Sequence, residues 1–380
     1  EVNLKYGKQG LTVEFPENNM TVIEPEFVAG LADERTAFFE ALSHPIGSKP
    51  LKDLIKPEDT IAVVFSDLTR PVPNTRIIPW LLEELAGHPK EKITLINATG
   101  MHRINTEAEL SSMLTENVVK QYRIVNHVAT DKDTLSYLGK NSFGGEVYVN
   151  SDYYQADVKI LTGFIEPHFF AGFSGGPKSV LPGVAGAETV MHNHGATMIG
   201  DPNATWGITT GNSLWEEIHE VAAMTHPTFI INVTINKDRA ITGIFAGEMD
   251  QAHARGVEFV RKTAMQPVEK PFDIVVTTNS GYPLDINLYQ TVKGMSAARK
   301  IVKQGGSIVA VSECWDGIPE HGNYKKILHE ASSVQEMLNT INSPGYSQFD
   351  QWEAQIQAMI QLWADVYLYS SLSAEEVKKA

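Results

Sequence analysis

The residues best suited to chemistry lie in one loop, which runs from His168 to Lys178 and reads HFFAGFSGGPK. Its second half nearly fits the phosphate-binding template G-x-x-x-x-G-K-[ST], with Pro177 in place of the second glycine. Proline has no N–H, so the loop lacks one donor, but the amides of Gly175 and Gly176 can still hold a phosphate. A lysine on so constrained a backbone can be a covalent anchor or a base; the alternative is an ordinary solvated lysine.

Histidine forms the second group of candidates, with His102, His168, His192 and His194 in the most informative positions. If 186–195 is helical, His192 and His194 diverge by roughly 200°, so only one of them faces a site. A single imidazole suits nickel, copper, iron or zinc. Cys314 is the only cysteine, which excludes an intramolecular disulfide and a cysteine-based zinc cage.

The third group lies in the segment SGYPLDINLYQTVK, residues 280–293. If it is helical from Asp285, then Tyr289, Gln290 and Lys293 share one side of the helix. Lys293 by charge and Gln290 by hydrogen bonding can together bind a carboxylate. The alternative is an amphipathic helix that shows a polar face to water.

These residues must be positioned by the secondary-structure elements around them. The sequence contains short apolar runs, each followed by a polar or glycine-rich loop and then a helical stretch. Such runs indicate parallel sheets covered on both faces, with ligands bound beyond the carboxyl ends of the strands. The predicted strands are 60–65, 92–96, 158–162, 273–277 and 307–311. We therefore expect the polar residues that follow the first three strands to converge in space. They are Asp67, Arg70, His102, Glu166 and His168.

Two further patterns predict how the chain is divided. Residues 229–235 and 240–245 alternate around Asn-Lys-Asp-Arg, which indicates a β-hairpin. Residues 263–271 carry two prolines and little periodicity, which is typical of a linker. We predict an N-terminal α/β domain over 1–265 and a C-terminal α/β domain over 270–380.

Composition narrows the classes of function. With 380 residues, 42% of them hydrophobic, the chain can bury a sizeable core. A net charge of −15 argues against nucleic-acid binding, which requires a basic surface. No run approaches the roughly 20 apolar residues of a membrane span and no signal peptide is evident, so we predict a cytoplasmic protein that binds no membrane. The chain begins without Met and ends in a helical pattern, from which we expect trimming at one or both ends.

The runs SDLTRPVP, ATGMHR, EPHFFAGFSGGPKSVLPG and GYPLDINLYQTVKGM resemble the nickel-pincer lactate racemase family, in the same order, from about residue 65 to 352. The resemblance implies an isomerase. It also implies two α/β domains with mainly parallel, Rossmann-like sheets and an active site in the cleft between them.

The resemblance further implies a cofactor, the pyridinium-3-thioamide-5-thiocarboxylic acid mononucleotide, joined as a thioamide to Lys178. Its two sulfurs and a pyridinium carbon hold nickel, and His194 matches the remaining metal ligand. Asp67 and Arg70 match positions near the cofactor and the first acid/base histidine, His102. Proteins of cofactor synthesis are the implied transient partners, and protein produced without them is expected to lack the cofactor.

By the same resemblance, His102 and His168 match the two acid/base residues. A 2-hydroxy acid loses its hydroxyl proton to one histidine and its C2 hydride to the cofactor, giving a pyruvate-like 2-keto acid. The hydride then returns to either face. The residues that match substrate contacts are Arg70, Tyr289, Gln290, Lys293 and Trp352.

Two departures from the family concern the substrate more than the chemistry: Pro177, where some relatives have a basic residue, and the variable stretch MHNHGATMIGDPNATWG. Lactate is the first candidate substrate because the family resembled is that of the lactate racemases. Malate, an aryl- or branched-chain hydroxy acid, or a sugar acid is the alternative for the same chemistry. A P-loop-like phosphate-binding protein and a non-catalytic carrier of nickel or cofactor are the alternatives from other classes.

Overall fold

Residues 1–16 and 18–380 are described by a computed structural model of the chain. The strands are β1 (Val2–Leu4), β2 (Leu11–Val13), β3 (Ile61–Ser66), β4 (Ile93–Ala98), β5 (Arg123–Asn126), β6 (Leu135–Lys140), β7 (Glu146–Asn150), β8 (Val158–Phe164), β9 (Pro167–His168), β10 (Gly172–Phe173), β11 (Phe229–Ile235), β12 (Ile241–Gly247), β13 (Phe272–Thr278), β14 (Val302–Val311) and β15 (Asp365–Tyr369). The α-helices are α1 (Glu34–Ser43), α2 (Asn74–Glu84), α3 (Glu107–Leu114), α4 (Glu116–Gln121), α5 (Ser151–Tyr154), α6 (Ala187–Asn193), α7 (Ala196–Ile199), α8 (Ser213–Met224), α9 (Met249–Ala264), α10 (Leu288–Arg299), α11 (Tyr324–Glu330), α12 (Val334–Ile341), α13 (Gln351–Gln361) and α14 (Ala374–Lys379).

The chain folds into two compact units. The large unit comprises Pro25–Asn193 and Gly207–Gln266, and the small unit comprises Glu1–Glu24, His194–Trp206 and Pro267–Ala380. The break after Gln266 falls inside the predicted linker 263–271. A division at one point along the chain places 1–24 and 194–206 in the N-terminal domain, whereas both segments pack with the C-terminal residues. Within the small unit, for example, Gln355 Nε2 donates to the Ala196 carbonyl at 2.8 Å.

The large unit is built on a six-stranded sheet with the order β12-β11-β8-β3-β4-β5. Every pair is parallel except β11–β12, which form the antiparallel hairpin predicted from sequence. Ile61 to Phe65 of β3 are all buried, as expected for a strand with helices over both faces. Side chains of α1, α2 and β3 share one hydrophobic core, including Phe38, Ile77 and Val63.

The small unit contains a three-stranded sheet, β13-β14-β15, with both pairs parallel. The apolar runs at 273–277 and 307–311 are thus both strands, although β14 begins earlier than predicted, at Val302. The prediction of α/β architecture with mainly parallel sheets is confirmed. Among the helices of the part that the structure describes, none combines the length and the apolar character that crossing a membrane requires.

Candidate active site

Asp67 and His102 are joined at the carboxyl edge of the six-stranded sheet. Asp67 directly follows β3 and His102 lies in the loop after β4, the neighbouring strand. Asp67 Oδ2 and His102 Nδ1 are 2.8 Å apart, and the carboxyl is buried while about half of the imidazole is exposed, at 3% and 48%. The topology therefore brings together two residues separated by 35 positions, as expected for the edge where parallel strands end.

The surroundings of Asp67 define the proton positions of this pair. Asp67 Oδ1 accepts from the Thr69 hydroxyl at 2.7 Å and from its backbone N–H at 3.2 Å. Burial raises the pKa of the Asp67 carboxyl, but hydrogen bonds from His102 and Thr69 and the charge of Arg70 outweigh it, so the pKa is lowered. An ionised carboxylate only accepts, so Nδ1 of His102 is the donor. In the neutral ring, Nε2 then holds a lone pair and can act as a base.

His168 has the opposite hydrogen-bonding pattern. His168 ends β9 and pairs with Gly172 of β10. The two short antiparallel strands form a tight turn. Nδ1 of His168 accepts from the backbone N–H of Ala171 at 3.2 Å and, at 3.5 Å, from that of Phe170. A ring nitrogen that accepts carries no proton, so Nε2 of the neutral ring carries it. His168 is thereby arranged as a proton donor and His102 as a proton acceptor.

Gly172 permits this turn because no larger residue fits its place. Its φ is +76°, and a Cβ there would lie 2.2 Å from the carbonyl oxygen of Ile208. Both conditions require glycine. The conformation that holds Nδ1 of His168 against the backbone therefore depends on a residue without a side chain.

Lys178 is the one half-buried residue of an otherwise buried stretch, 171–180. It lies in a 3₁₀ turn, Gly176–Ser179, with its N–H donating to the Gly175 carbonyl at 3.1 Å. Its Nζ is 5.4 Å from the centre of the Phe170 ring. The backbone at Lys178 is thus fixed, and the residue is partly exposed.

The same loop differs from a phosphate cradle. The Gly176 N–H donates to Asn232 Oδ1 at 2.7 Å, so the protein itself uses a donor that the sequence assigned to a phosphate. A P-loop continues into a helix, whereas this loop continues into a 3₁₀ turn of four residues. These two features do not support the P-loop alternative.

His194 belongs to the small unit and follows directly after α6 of the large unit. It is 5% exposed, and its ring centre lies 5.1 Å from that of Trp352 in an edge-on contact. His192 has a separate partner, since its Nδ1 lies 2.7 Å from Oε1 of the fully buried Glu217. The two neighbouring histidines thus have different surroundings, and His194 is the buried one.

The residues predicted on α10 do not form a solvated face. The helix begins at Leu288, later than the predicted Asp285, and Asn287 caps it by accepting from the Gln290 N–H. Lys293 Nζ donates to Gln290 Oε1 at 2.6 Å, and both residues are half-buried.

Tyr289 and Trp352 complete this group in the small unit. Trp352 Nε1 donates to the Tyr289 hydroxyl at 3.1 Å, which in turn lies 3.5 Å from Asp350 Oδ1. Desolvation by burial raises the pKa of Tyr289 well above its ordinary value, so its hydroxyl keeps its proton. The side chains of the small unit that are predicted to bind substrate thus form two hydrogen-bonded pairs, Lys293–Gln290 and Trp352–Tyr289.

Sequence reasoning missed Thr69, Asn232 and Glu353. The first two act through hydrogen bonds to Asp67 and Gly176, which no sequence signal marks. Glu353 lies on α13 (QWEAQIQAMIQ), whose polar composition suggests a surface helix. Residues 351–358 are nevertheless all buried. Burial raises the pKa of the Glu353 carboxyl to about 8.

Metal-binding capacity is limited in the protein itself. Within 1–16 and 18–380, no group of three or more His, Cys, Asp or Glu side chains is arranged to hold a metal ion. A metal bound at a single imidazole such as His194 therefore needs most of its ligands from another molecule.

Comparison with known proteins gives a consistent result. Residues 6–207 match the family described as the lactate racemase N-terminal domain, and residues 268–379 match the lactate racemase C-terminal domain. The lactate racemase of Lactiplantibacillus plantarum is 38% identical over 98% of this chain and 88% of its own length. That of Thermoanaerobacterium thermosaccharolyticum is 37% identical over 94% of this chain and 85% of its own length.

Solved structures agree. The lactate racemase apoprotein from T. thermosaccharolyticum superposes with a TM-score of 0.94 at 36% identity, over all of this chain and 90% of that one. A crystal structure of a protein from Thermotoga maritima shares the fold, with a TM-score of 0.70 at 19% identity over 94% of this chain and 92% of that one. The resemblance noted from sequence is confirmed, and it marks the chain as an isomerase. The chain belongs to the lactate racemase family.

Proposed function

We propose that this protein interconverts the two enantiomers of lactate through a planar pyruvate intermediate, with hydride transfer to and from a nickel-pincer nucleotide on Lys178. The observation that carries the proposal is the complementary pair of imidazoles. Asp67 orients His102 as an acceptor, and backbone amides orient His168 as a donor. Relatives with 37–38% identity over nearly the whole chain are lactate racemases, which supports the substrate.

The histidines account for the movement of the proton. Nε2 of His102 takes the hydroxyl proton of one enantiomer as the C2 hydride leaves. Nε2 of His168 gives its proton to the carbonyl oxygen when the other enantiomer forms, and proton exchange with solvent then deprotonates His102 and reprotonates His168. The reverse reaction passes through the same states in the opposite order. Two imidazoles are required because the enantiomers present their hydroxyls differently, and imidazole suits the task because its pKa lies near neutral pH.

The surroundings of Lys178 and His194 fit the nucleotide. Lys178 is a partly exposed lysine on a fixed backbone, which suits a covalent anchor. His194 offers one buried imidazole, and the residues that the structure describes form no protein-built metal site. Both features suit a nickel ion whose other ligands belong to the nucleotide. When bound, the nucleotide supplies the acceptor and the source of the hydride.

Four kinds of contact to the substrate are part of this proposal. Lys293 and Gln290 hold the carboxylate of lactate by an ion pair and a hydrogen bond. Arg70, whose charge already acts on Asp67, stabilises the charge that develops on the hydroxyl oxygen. Tyr289 and Trp352, held together by their hydrogen bond, form the wall of the carboxylate site.

Intact-mass measurement tests the proposal. Protein produced together with the cofactor-synthesis proteins, which we propose as transient partners, should carry a mass increment on Lys178 and racemise D-lactate in a chiral chromatography assay. Lys178→Ala should lose both the increment and the activity, whereas Lys132→Ala, at an exposed lysine paired with Glu188, should keep both.

Two results would contradict the proposal. Racemase activity retained in Lys178→Ala would exclude the covalent anchor. Turnover of malate or a branched-chain hydroxy acid by the loaded enzyme, without turnover of lactate, would exclude lactate as the substrate while leaving the hydride chemistry in place.

A further inference from the structure

Glu353 is a buried carboxyl with incomplete hydrogen bonding. Its residue is 1% exposed, on a helix that is buried over 351–358. Its Oε1 has no hydrogen-bond partner within the described residues. Within the same described residues, Glu353 forms no ion pair, because no side-chain nitrogen of a lysine, arginine or histidine lies within 4.0 Å of its carboxylate oxygens. A buried carboxylate without these partners is costly, so a group in this position tends to stay protonated.

Its neighbours are the proposed substrate-binding residues. Helix α13, which carries Glu353, packs against α10, which carries Lys293, Gln290 and Tyr289. Lys293 is the positive charge that acts on Glu353, and Asp350 is a negative one. Glu353 thus lies within electrostatic range of the ammonium group that we assign to the carboxylate of lactate.

The remaining elements packed on α13 offer Glu353 no second positive charge that acts on it. Helix α7 has no titratable side chain, and α11 faces it with Tyr324, whose pKa Glu353 helps to raise. Glu336 of α12 is turned to the exposed Ser332, and β15 carries an exposed aspartate and two exposed tyrosines.

The charge of Glu353 therefore decides what Lys293 can bind. If Glu353 and Asp350 were both ionised, the two carboxylates would outnumber the single ammonium, and a substrate anion would be repelled. If Glu353 is neutral, the charge of Lys293 is not offset from this side.

We propose that Glu353 is a positioning residue that remains a neutral acid and so reserves the positive charge of Lys293 for the carboxylate of the substrate. This inference rests on the proposed function for the identity of the anion, but not for the state of Glu353 itself. The raised pKa of Glu353, which burial causes and Lys293 only partly opposes, agrees with it. Ionisation at alkaline pH is then expected to weaken substrate binding without changing the acid/base histidines.

Infrared spectroscopy tests the protonation state directly, in protein without cofactor. At pH 7, the difference spectrum between wild type and Glu353→Gln should contain the C=O stretch of a protonated carboxylic acid. The band should disappear as the pH rises past about 8. Glu330→Gln is the matched control, because this glutamate is exposed and its substitution should produce no such band. Absence of the band at pH 7 would overturn the proposal.

Steady-state kinetics of the loaded enzyme test the consequence. For wild type, KM for D-lactate should rise roughly tenfold between pH 6.5 and pH 9 in excess of any change in Glu353→Gln, a typical size for coupling between two sites. In Glu353→Gln, which keeps the shape and removes the charge, KM should stay at the low value. Its kcat should follow the same pH profile as that of wild type.

The outcomes separate the two proposals. A KM that rises equally in wild type and Glu353→Gln would overturn the role of Glu353, even if lactate is racemised. A protein that carries the infrared band but turns over another 2-hydroxy acid in place of lactate would contradict the proposed substrate alone. The KM comparison would then be made with that acid.

Discussion

Asp67 and Glu353 are both carboxyls buried to within 3% of complete exclusion from solvent, yet their pKa values move in opposite directions. Asp67 receives hydrogen bonds from the Thr69 hydroxyl and backbone and from His102, and its pKa is lowered. Glu353 has an oxygen without a partner, and its pKa is raised to about 8. Burial favours the neutral acid in both places. Hydrogen-bond donors reverse that preference in only one of them.

The difference gives each carboxyl a separate use. An ionised Asp67 fixes the tautomer of His102, which needs an acceptor at Nδ1 to present a base at Nε2. A neutral Glu353 adds no negative charge that would offset the charge of Lys293. Environments that drive titratable groups apart in pKa are typical of functional sites.

The largest expected effect is on kcat and tests Asp67, the ionised carboxyl. Asp67→Asn should lower kcat about 10²- to 10⁴-fold, because an amide can present its N–H₂ to Nδ1 and stabilise the wrong tautomer of His102. Racemisation of D-lactate by the loaded enzyme measures it. Asp238→Asn, in the exposed hairpin turn, is the control and should change kcat less than twofold. A loss below threefold in Asp67→Asn would show that Asp67 does not set the proton on His102.

The next largest effect concerns Glu353, the neutral carboxyl, and the pH dependence of the free energy of unfolding. A carboxyl whose pKa is raised on folding stabilises the protein fully below its unfolded pKa, about 4.3, and that contribution is lost as the pH rises through the folded value of about 8. Between pH 5 and 8.5, wild type should therefore lose about 4 kcal/mol of unfolding free energy relative to Glu353→Gln. Urea unfolding at the two pH values measures this difference. Equal losses in the two proteins would mean that Glu353 is ionised in the folded state.

The smallest effect concerns one donor to Asp67. Thr69→Ala removes the 2.7 Å hydrogen bond and should cost about 1 kcal/mol of stability at pH 7. Because this bond lowers the pKa of Asp67, its contribution is present above the unfolded pKa and is lost as the pH falls through the folded value, so the cost should shrink in acid. Urea unfolding at pH 7 and pH 3.5 checks this. A cost that is the same at both pH values would exclude a contribution through the charge of Asp67.

The α/β class of the fold could be predicted from sequence, because continuous apolar runs indicate strands that are buried on both faces. The carboxyl edge of the sheet could then be predicted as the place of the candidate site. The strands at 60–65, 92–96 and 158–162 were placed to within two residues at each end, and the hairpin at 229–245 was recognised from its alternation and turn. The meeting of Asp67 with His102 followed from the rule for parallel sheets. Membership of 1–24 and 194–206 in the small unit did not follow, because those segments join the core on which they pack, wherever they lie in the chain.

By itself, the amino-acid sequence determined the family, the α/β architecture and the residue types available for acid/base and anchoring chemistry, because these are carried by local motifs and by periodicity. Only the tertiary structure decided which nitrogen of His102 and of His168 bears the proton, where the N–H of Gly176 is used, and that Glu353 is buried. Each of these depends on groups distant in sequence or on a main-chain conformation. A proton position or a pKa is therefore a property of the folded surroundings, and no residue type specifies it alone.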